Sequence, residues 1–316
     1  PAMESDLARV EAALRGAVRT EDEYLTELAS HLIVAGGKRL RPVLAMAAAG
    51  TRQEVVSDEV VQGGVSVELV HLGSLYHDDV MDEADTRRGV ETVNAKWGNL
   101  QAILAGDFLL SRASEIAASL GTEIAALLAN TIGQLCYGEI GQLRRTYSAV
   151  RTEAEYLESI GGKTASLFST AARIGALVGG LDRSDVEALT SFGHAFGMVF
   201  QIVDDVLDLT ATEAQLGKPA GHDLVEGVYT LPVIRTLAAG GPAAAELRDL
   251  LGRPLDQPEV EQALGIVRSN GGVAEAVEVG THYVARAVDA CRSLPDGPAT
   301  SALRAAPGVL LASVAT

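Results

Sequence analysis

The sequence predicts an all-α fold, a large single-domain helical bundle, and three observations lead to this prediction. Apolar residues recur at intervals of three or four along almost the whole chain, whereas the strict alternation typical of strands is scarce. Hydrophobic residues make up 47% of the 316 residues but aromatic residues only 4%, so small side chains let helices pack closely. No linker or low-complexity segment divides the chain, and we therefore expect one domain over residues 1–316.

The helices follow from this periodicity and from the Gly, Pro, Asp and Thr residues that interrupt it. In the first half we expect helices at 3–18, 22–34, 39–50, 55–82, 95–119 and 122–148. In the second half we expect them at 152–160, 164–179, 184–210, 229–239, 243–252, 257–270 and 272–293. The longest loop, 211–228, follows the helix at 184–210, and we expect it to close over a site as a lid.

Charge and cysteine content exclude several classes of protein. The net charge is −17 and the isoelectric point is about 4.7, which argues against nucleic acid or an anionic membrane surface as a general partner. We find neither an N-terminal signal pattern nor an apolar run long enough to span a bilayer, and we expect a cytoplasmic protein. The two cysteines, Cys136 and Cys291, form neither a zinc-binding spacing nor a disulfide framework.

Two aspartate clusters stand out because acidic residues in apolar helices are rarely buried unless they are paired or bind metal. Both read Asp-Asp-x-x-Asp: one consists of Asp78, Asp79 and Asp82, and the other of Asp204, Asp205 and Asp208. The first and third aspartates of each cluster are four residues apart and share a helix face, with the middle aspartate in support. Hard cations prefer oxygen ligands, and Mg²⁺ is usually held by one or two carboxylates plus substrate phosphates. The clusters therefore predict Mg²⁺ that holds a diphosphate.

Basic residues beside glycines or helix ends suit phosphate oxygens. Lys38 and Arg41 are three residues apart near the start of the helix at 39–50, and we expect them to share a face. A second candidate phosphate-binding position is the start of the helix at 164–179. Lys163 and Thr164 lie there and would offer free backbone N–H groups. The remaining candidate cations for phosphate are the pair Arg87 and Arg88 after the first aspartate cluster, and Lys218 in the lid. The alternative for each is an ordinary surface ion pair or a basic helix end.

Two polar residues fall on the same faces as the aspartates. His71 precedes Asp78 by seven residues, about two helical turns, and Gln201 precedes Asp204 by three. His77 points away from this stripe, and we expect a structural role for it. The cations and carboxylates together carry too much charge for one monophosphate. Two diphosphates fit better, one held through metal ions and the other directly by cations.

In sequence order, these segments resemble the motifs of the trans-isoprenyl (polyprenyl) diphosphate synthases. The matching segments, from about residue 30 to 235, are Gly-Gly-Lys-Arg-Leu-Arg-Pro at 36–42, His71 to Gly89, Gly-Lys-Thr at 162–164, Phe200 to Asp208, Gly-Lys-Pro at 217–219 and Thr-Leu-Pro at 230–232. The resemblance implies a helical bundle that encloses a deep central cavity, usually as a homodimer. It also implies Mg²⁺-dependent head-to-tail condensation of an allylic diphosphate with isopentenyl diphosphate.

The resemblance assigns a role to each candidate residue. It implies that Asp78, Asp82, Asp204 and Asp208 bind Mg²⁺, three ions per active site, with Asp79, Asp205, Lys163 and Lys218 also catalytic. It implies that Arg87, Lys163, Thr164, Gln201 and Lys218 hold the allylic diphosphate, and that Lys38, Arg41, His71 and Arg88 hold isopentenyl diphosphate. The allylic C–O bond would ionise, the double bond of isopentenyl diphosphate would attack, and the released diphosphate would take the proton. One departure is Val228, where many relatives carry a lysine.

Product length depends on the helix before the first aspartate cluster, along which the growing chain would extend. In short-chain members an aromatic residue four or five positions before the first aspartate blocks the tunnel. Those positions here are Ser74 and Gly73, and Val70 and Val67 further back are also modest in size. We therefore expect a product longer than C20, in the C30–C50 range. The alternative is a short-chain farnesyl or geranylgeranyl diphosphate synthase with a C15 or C20 product.

Three other functions stay open from the sequence. A class I terpene cyclase shares the fold and the first cluster, but it usually replaces the second cluster with an Asn/Ser/Glu motif. A non-catalytic subunit of a heteromeric prenyl synthase typically loses metal aspartates, whereas both clusters are intact here. A purely structural bundle with acidic surface clusters leaves the ordered motifs unexplained.

Overall fold

The computed structural model describes residues 2–211 and 220–314, and it confirms the all-α prediction. The first half of the chain contains α1 (Ala2–Ala17), α2 (Glu23–Val34), α3 (Leu40–Ala49), α4 (Asp58–Met81), α5 (Val93–Trp97), α6 (Asn99–Leu120) and α7 (Thr122–Leu143). A two-stranded antiparallel hairpin, β1 (Thr86–Arg87) and β2 (Val90–Glu91), connects α4 to α5.

The second half is also helical. It contains α8 (Glu153–Ile160), a π-helical turn (Gly161–Ala165), α9 (Ser166–Val178), α10 (Arg183–Thr210), α11 (His222–Val225), α12 (Leu231–Ala239), α13 (Gly241–Leu250), α14 (Gln257–Ser269), α15 (Gly272–Ala290) and α16 (Pro298–Ala312). Thr152 begins α8 and Asp256 begins α14 with a capping box, in which the cap side chain and a glutamate three residues later each accept a backbone N–H.

The fold divides into two compact units. Unit 1 contains the residues up to Ile132, Leu167–Gly193 and Ser293–Thr300, and unit 2 contains Gly133–Ser166, His194–Arg292 and the residues from Ser301 onward. That residues 1–316 form a single domain stays a prediction.

The core of unit 1 is built around α4. This helix packs against α1, α3 and α6, and its residues from Val60 to Leu72 are buried on almost every side. A helix that is apolar all round belongs inside a core. Ser57 caps its first turn, while exposed Met81 and Asp82 lie at its other end. The core therefore fixes the helix that carries the first aspartate cluster at its solvent-facing end.

Unit 2 has a core around the C-terminal half of α10. Met198, Ile202 and Val206 pack with Tyr156 of α8 and Ile234 of α12. The same core includes Ala276 of α15. Packing of one face of α10 holds this helix within unit 2, and the helix in turn fixes the positions of the second aspartate cluster.

Several predicted helix boundaries were wrong. The helix expected at 95–119 is interrupted at Gly98, whose φ of 102° is incompatible with a helix. The helix expected at 122–148 ends at Leu143, because Tyr147 adopts a φ of 59° and donates its backbone N–H to Gly227 O at 2.8 Å. The sequence also predicted no helix beyond 293, whereas α16 starts with proline and continues through Pro307.

One helix is apolar enough to cross a membrane by length and composition alone, which the sequence did not predict. It is α10, but more than half of its most apolar window, 56%, is buried inside the protein. Burial of this kind is what a core helix of a folded protein shows, and α10 serves as the core helix of unit 2.

Candidate active site

The first aspartate cluster occupies the end of α4 in unit 1. Asp78 is half-buried and Asp82, which terminates the helix, is exposed; the Asp82 N–H donates to Asp78 O at 2.8 Å. Asp79 is buried and forms an ion pair with Arg87 Nε. Burial raises the pKa of Asp79, against the lowering effect of Arg87. The middle aspartate thus fixes the arginine, while the outer two lie nearer to solvent.

The hairpin after α4 aims the two arginines differently. Arg87 lies in β1 and pairs with Asp79. Arg88 follows it with a φ of 53°, and its Nη1 donates to Leu32 O at 3.3 Å and to Gly36 O. The hairpin thus brings Arg88 to Gly36 and Gly37 in the turn between α2 and α3, which also contains Lys38.

The turn before α3 differs from its predicted form. The helix begins at Leu40, so exposed Lys38 lies outside it and does not share a helix face with Arg41. The reason is Arg39, which adopts a left-handed conformation with φ 48° and ψ 37° and turns the chain at this position. Arg39 is itself buried, although its sequence context predicted no role for it.

Arg41 and His71 form the inner part of this basic region. The Arg41 guanidinium lies 4.6 Å from the centre of the Phe168 ring, and its Nε is buried without a hydrogen-bond partner in the part of the chain that the structure describes. Burial lowers the pKa of Arg41 to about 10, so it stays charged at neutral pH. Burial and the neighbouring Arg41 and Arg88 hold the pKa of His71 well below its ordinary value. His71 is therefore neutral.

The second aspartate cluster lies on α10 in unit 2. Asp204 is exposed, whereas Asp205 and Asp208 are buried. Asp208 holds the chain that follows the helix: its Oδ2 accepts the Asp223 N–H at 3.1 Å and its carbonyl accepts the Gly221 N–H at 2.7 Å. The third aspartate of this cluster thus anchors the end of the predicted lid.

Asp205 is the centre of a buried hydrogen-bond network. Thr164 Oγ1 donates to Gln201 Oε1 at 2.7 Å, and Gln201 Nε2 donates to Asp205 Oδ1 at 2.8 Å. The Tyr156 hydroxyl donates to the other carboxylate oxygen at 2.5 Å. Burial raises the pKa of Asp205 to about 7, although both hydrogen bonds favour its charged form. Two residues expected to contact a diphosphate, Thr164 and Gln201, thus also orient Asp205.

Lys163 lies in the π-helical turn, and its Nζ is 2.6 Å from Glu139 Oε2. The prediction that free backbone N–H groups start a helix here was wrong. The chain is helical from α8 through the π turn into α9, and the Ser166 N–H donates to Gly161 O. Such turns occur often at functional sites because they change the direction of a side chain within a helix.

The remaining predicted residues are placed less favourably or lie elsewhere. Lys218 lies outside the described residues. Val228 is partly buried, and its N–H donates to Asp223 O at 2.8 Å. Val67 and Val70 expose none of their surface, so no water-sized space borders them. A side chain at Gly73 would lie 3.0 Å from Gly106 O on α6.

The donor set decides which metal could fit. Within residues 2–211 and 220–314, no group of three or more His, Cys, Asp or Glu side chains is arranged so that it could hold a metal ion. The cluster donors are carboxylate oxygens one helical turn apart on α4 and α10. Taken by itself, each pair fits a hard divalent cation that completes its shell with water and phosphate oxygens, and it does not fit an all-protein cage.

Comparison with known proteins agrees with this geometry. Residues 22–267 match the family model described as Polyprenyl synthetase. The chain belongs to the polyprenyl synthetase family. The resemblance to trans-isoprenyl diphosphate synthases is thereby confirmed, and so is the prediction of a prenyltransferase enzyme.

Relatives of this polyprenyl synthetase carry names for several product lengths. It is 40% identical over 305 residues to nonaprenyl diphosphate synthase of Mycobacterium tuberculosis, covering 96% of this chain and 91% of the relative. It is also 40% identical to heptaprenyl diphosphate synthase component 2 of Geobacillus stearothermophilus, covering 96% and 94%. A geranylgeranyl diphosphate synthase of Methanosarcina mazei is 42% identical over 228 residues, 70% of each chain.

A solved structure supports the fold and the metal chemistry of the family. A polyprenyl synthase from Caulobacter crescentus, complexed with calcium and isoprenyl diphosphate, superposes with a TM-score of 0.90 at 34% identity, covering 99% of this chain and 94% of that one. That relative therefore binds a hard divalent cation together with a diphosphate ester.

Sequence reasoning missed several residues of this polyprenyl synthetase that either contact the predicted ones or form ion pairs around Arg39, the neighbour of Lys38 in the chain. They are Glu11, Arg39, Glu68, Glu139, Tyr156 and Phe168. One of them carried a usable signal, because Glu68 is an acidic residue in an apolar helix, as the cluster aspartates are. Arg39 follows Lys38 directly in the chain, whereas Glu11, Glu139, Tyr156 and Phe168 are ordinary helix residues in the sequence, and only tertiary packing brings each to the residue that it contacts.

Proposed function

We propose that the protein condenses isopentenyl diphosphate with an allylic diphosphate, head to tail, to give a trans-polyprenyl diphosphate longer than C20, in the C30–C50 range. The observation that carries this proposal is the basic region of unit 1. The Nε atom of Arg41 is buried without a hydrogen-bond partner among the described residues, and the charges of Arg41 and Arg88 both lower the pKa of neutral His71. A region with this charge favours a buried anion.

In this proposal Lys38, Arg41, His71 and Arg88 bind the diphosphate of isopentenyl diphosphate. The three cations neutralise phosphate oxygens. His71 is neutral, so it contributes a hydrogen bond and adds no further positive charge to the cluster. Anchoring the diphosphate at this end orients the double bond for attack and reduces the entropy lost on reaching the transition state.

The allylic diphosphate is assigned to the other polar residues. Arg87, Lys163, Thr164, Gln201 and Lys218 hold its oxygens, and Asp78, Asp82, Asp204 and Asp208 bind Mg²⁺, three ions per active site. When bound, Mg²⁺ neutralises the charge that develops on the departing diphosphate. Asp79 fixes Arg87, and Asp205 is oriented by Tyr156 and Gln201. Lys163 exchanges its pairing with Glu139 for a phosphate oxygen as substrate binds.

Chain length, assembly and location complete the proposal. Ser74 leaves room for a product beyond C20, and the alternative is a C15 or C20 synthase. The protein acts in the cytoplasm as a homodimer. A second candidate is catalysis together with a partner subunit, which the similarity to a heptaprenyl synthase component 2 favours.

The deciding experiment incubates purified protein with Mg²⁺, labelled isopentenyl diphosphate and, separately, C5, C10, C15 and C20 allylic diphosphates. Products are sized by chromatography, with a chelator-treated sample as control. A ladder that ends beyond C20 supports the proposal. A ladder that stops at C15 or C20 keeps the reaction and contradicts the product length. Absence of elongation with every primer, while diphosphate still binds, contradicts independent activity and favours the partner-subunit candidate.

A further inference from the structure

A buried ion cluster in unit 1 lies next to the residues assigned to isopentenyl diphosphate. Arg39 Nε is 2.6 Å from Glu11 Oε1, and its Nη1 is 3.2 Å from Glu68 Oε1. Arg39 and Glu68 side chains are each only 2% exposed. We refer to Glu11, Arg39 and Glu68 as the Arg39 triad. Burying an ion pair to this degree costs a large desolvation free energy, which can exceed the gain from the pairing. Stability alone therefore does not explain why the pair is present.

The backbone at Arg39 shows what the triad controls. Left-handed conformations are rare for residues other than glycine and asparagine, yet Arg39 has φ 48°. Its side chain is held by both glutamates and by Ile33 O at 3.0 Å, which compensates the unfavourable backbone. This conformation ends the turn at Lys38 and starts α3 at Leu40.

The triad also borders the other cations of the site. A Cβ atom at Gly37 would lie 3.0 Å from Arg39 Nη1 and 2.9 Å from Arg88 Nη1, so both guanidinium groups line the same turn. The charge of Glu68 raises the pKa of both Arg41 and Arg88, against the lowering effect of burial. Arg39 thus pairs with both carboxylates, and the charge of Glu68 also acts on Arg41 and Arg88.

We propose that Glu11 and Glu68 are positioning residues for the isopentenyl diphosphate site. They fix Arg39 and, through it, the turn that carries Lys38 and the start of the helix that carries Arg41. Neither carboxylate contacts the substrate. This inference rests on the proposed function.

The test compares Glu68→Gln and Glu11→Gln, which keep the shape of each side chain but remove its charge. Metal-free titration calorimetry with isopentenyl diphosphate measures affinity, and steady-state kinetics measure both KM values. We expect the Kd and KM for isopentenyl diphosphate to rise about tenfold in Glu68→Gln and roughly threefold in Glu11→Gln, because each loses a charge-assisted hydrogen bond. The KM for the allylic diphosphate should stay within about twofold, since these residues act on the other substrate.

A matched control is Asp185→Asn. Asp185 is also a buried carboxylate in unit 1, paired with Arg52 Nε at 2.7 Å, and it lies outside the cation cluster. The Asp185→Asn variant should lower the Tm without changing the KM of either substrate. Glu11 is 29% exposed, so its variant provides a folded test even if Glu68→Gln fails to fold.

Three outcomes overturn the inference or its basis. A lower Tm with unchanged Kd and KM for isopentenyl diphosphate makes the triad merely structural. Tighter binding in both variants makes the carboxylates simple opposing charges. If the unsubstituted protein itself neither binds isopentenyl diphosphate nor elongates a primer, the proposed function fails, whereas an active parent with unaffected variants overturns the positioning role alone.

Discussion

At the scale of single residues, the middle aspartate of each Asp-Asp-x-x-Asp cluster has a different environment from the first. Asp79 and Asp205 are buried and accept hydrogen bonds from Arg87 and Tyr156, whereas Asp204 is exposed and Asp78 half-buried. In each of these two pairs the buried middle carboxylate orients another group, and the more accessible first one is suited to a metal ion. The division of roles within each motif follows from which helix face is covered.

Tyr156→Phe tests the orienting role of the network around Asp205. The variant removes the Tyr156 hydroxyl that donates to Asp205 and keeps the ring in the core. Loss of an outer-shell hydrogen bond to a metal site typically weakens metal affinity, so we expect the Mg²⁺ concentration for half-maximal rate to rise roughly tenfold. Titration of activity with Mg²⁺ provides the measurement.

The control for this variant is Tyr229→Phe. Tyr229 is equally buried in unit 2, but its hydroxyl accepts the Gly252 N–H at 2.7 Å and has no contact with the aspartate network. It should lower stability while leaving the Mg²⁺ requirement unchanged. Equal shifts in both variants would mean that buried tyrosines act only through stability.

His71→Asn tests the neutral state of His71 through stability. The pKa of His71 is lowered in the folded protein by burial and by Arg41, so below about pH 6.5 only the unfolded chain takes up this proton. Stability from this group is therefore complete above that pH and is lost as the pH falls. Between pH 7.5 and 5.5 we expect the parent protein to lose roughly 1 kcal/mol more of its unfolding free energy than the variant.

Denaturant unfolding at the two pH values measures this difference. Other titrating groups, including the partly buried His194, are common to both proteins and cancel in the comparison. An identical pH dependence would show that His71 takes up its proton equally well in the folded state.

At the scale of secondary-structure elements, close helix contacts fix the π-helical turn. A Cβ atom at Gly138 of α7 would lie 2.4 Å from the Lys163 N atom, and one at Gly162 would lie 2.9 Å from Gln134 O. Ser159 Oγ also donates to Gly138 O at 3.1 Å. Two glycines thus allow the backbones to approach, and this approach determines the position of Lys163.

Gly138→Ala should displace the π turn and with it Lys163. The added methyl group meets backbone atoms that cannot rotate away, so we expect a stability loss of about 1–3 kcal/mol and a lower kcat with the allylic substrate. Thermal unfolding and steady-state kinetics measure the two effects.

Gly133→Ala on the same helix is the matched control. A Cβ atom there meets nothing within 4 Å, so the better helix propensity of alanine should stabilise the protein by up to about 1 kcal/mol and leave the rate unchanged. If both variants retained full activity, the glycine contact would not determine the function of Lys163.

At the scale of the whole molecule, the size of the product depends on space beside α4. Gly73 faces Gly106 on α6, and Val67 and Val70 are fully buried, so these three positions border protein atoms. Ser74 is only partly buried, and its hydroxyl donates to His71 O at 2.8 Å. Of the four residues expected to set chain length, Ser74 is the one with accessible space.

Ser74→Phe should shorten the product. A phenyl ring one helical turn before Asp78 would occupy the volume that a growing chain needs, so we expect the main product to fall to C20 or below. Product sizing after incubation with a C15 primer measures the change. Ser119→Phe, at an exposed position of α6, controls for added bulk and should leave the distribution unaltered. An unchanged ladder in Ser74→Phe would contradict this path for the chain.

The sequence by itself determined the all-α class, the family and the pair of aspartate clusters. Apolar periodicity and residue spacing along a helix are local properties, and they are legible wherever the helix is long and regular, as in α4 and α10. The helix ends near Gly98 and Tyr147 depend on the backbone conformation of single residues. The spacing of apolar residues does not reveal such conformations. Helix α16 was missed because its proline-containing pattern gave no clear period.

Only the tertiary structure decided how the site residues are held. Lys38 and Arg41 were expected on one helix face, but the left-handed turn at Arg39 separates them, and that turn depends on Glu11 and Glu68 from other helices. The hydrogen bond from Tyr156 to Asp205 and the neutral state of His71 likewise come from residues distant in sequence. Burial and electrostatic interaction are properties of the packed chain, so the spacing of residues in the sequence cannot specify them.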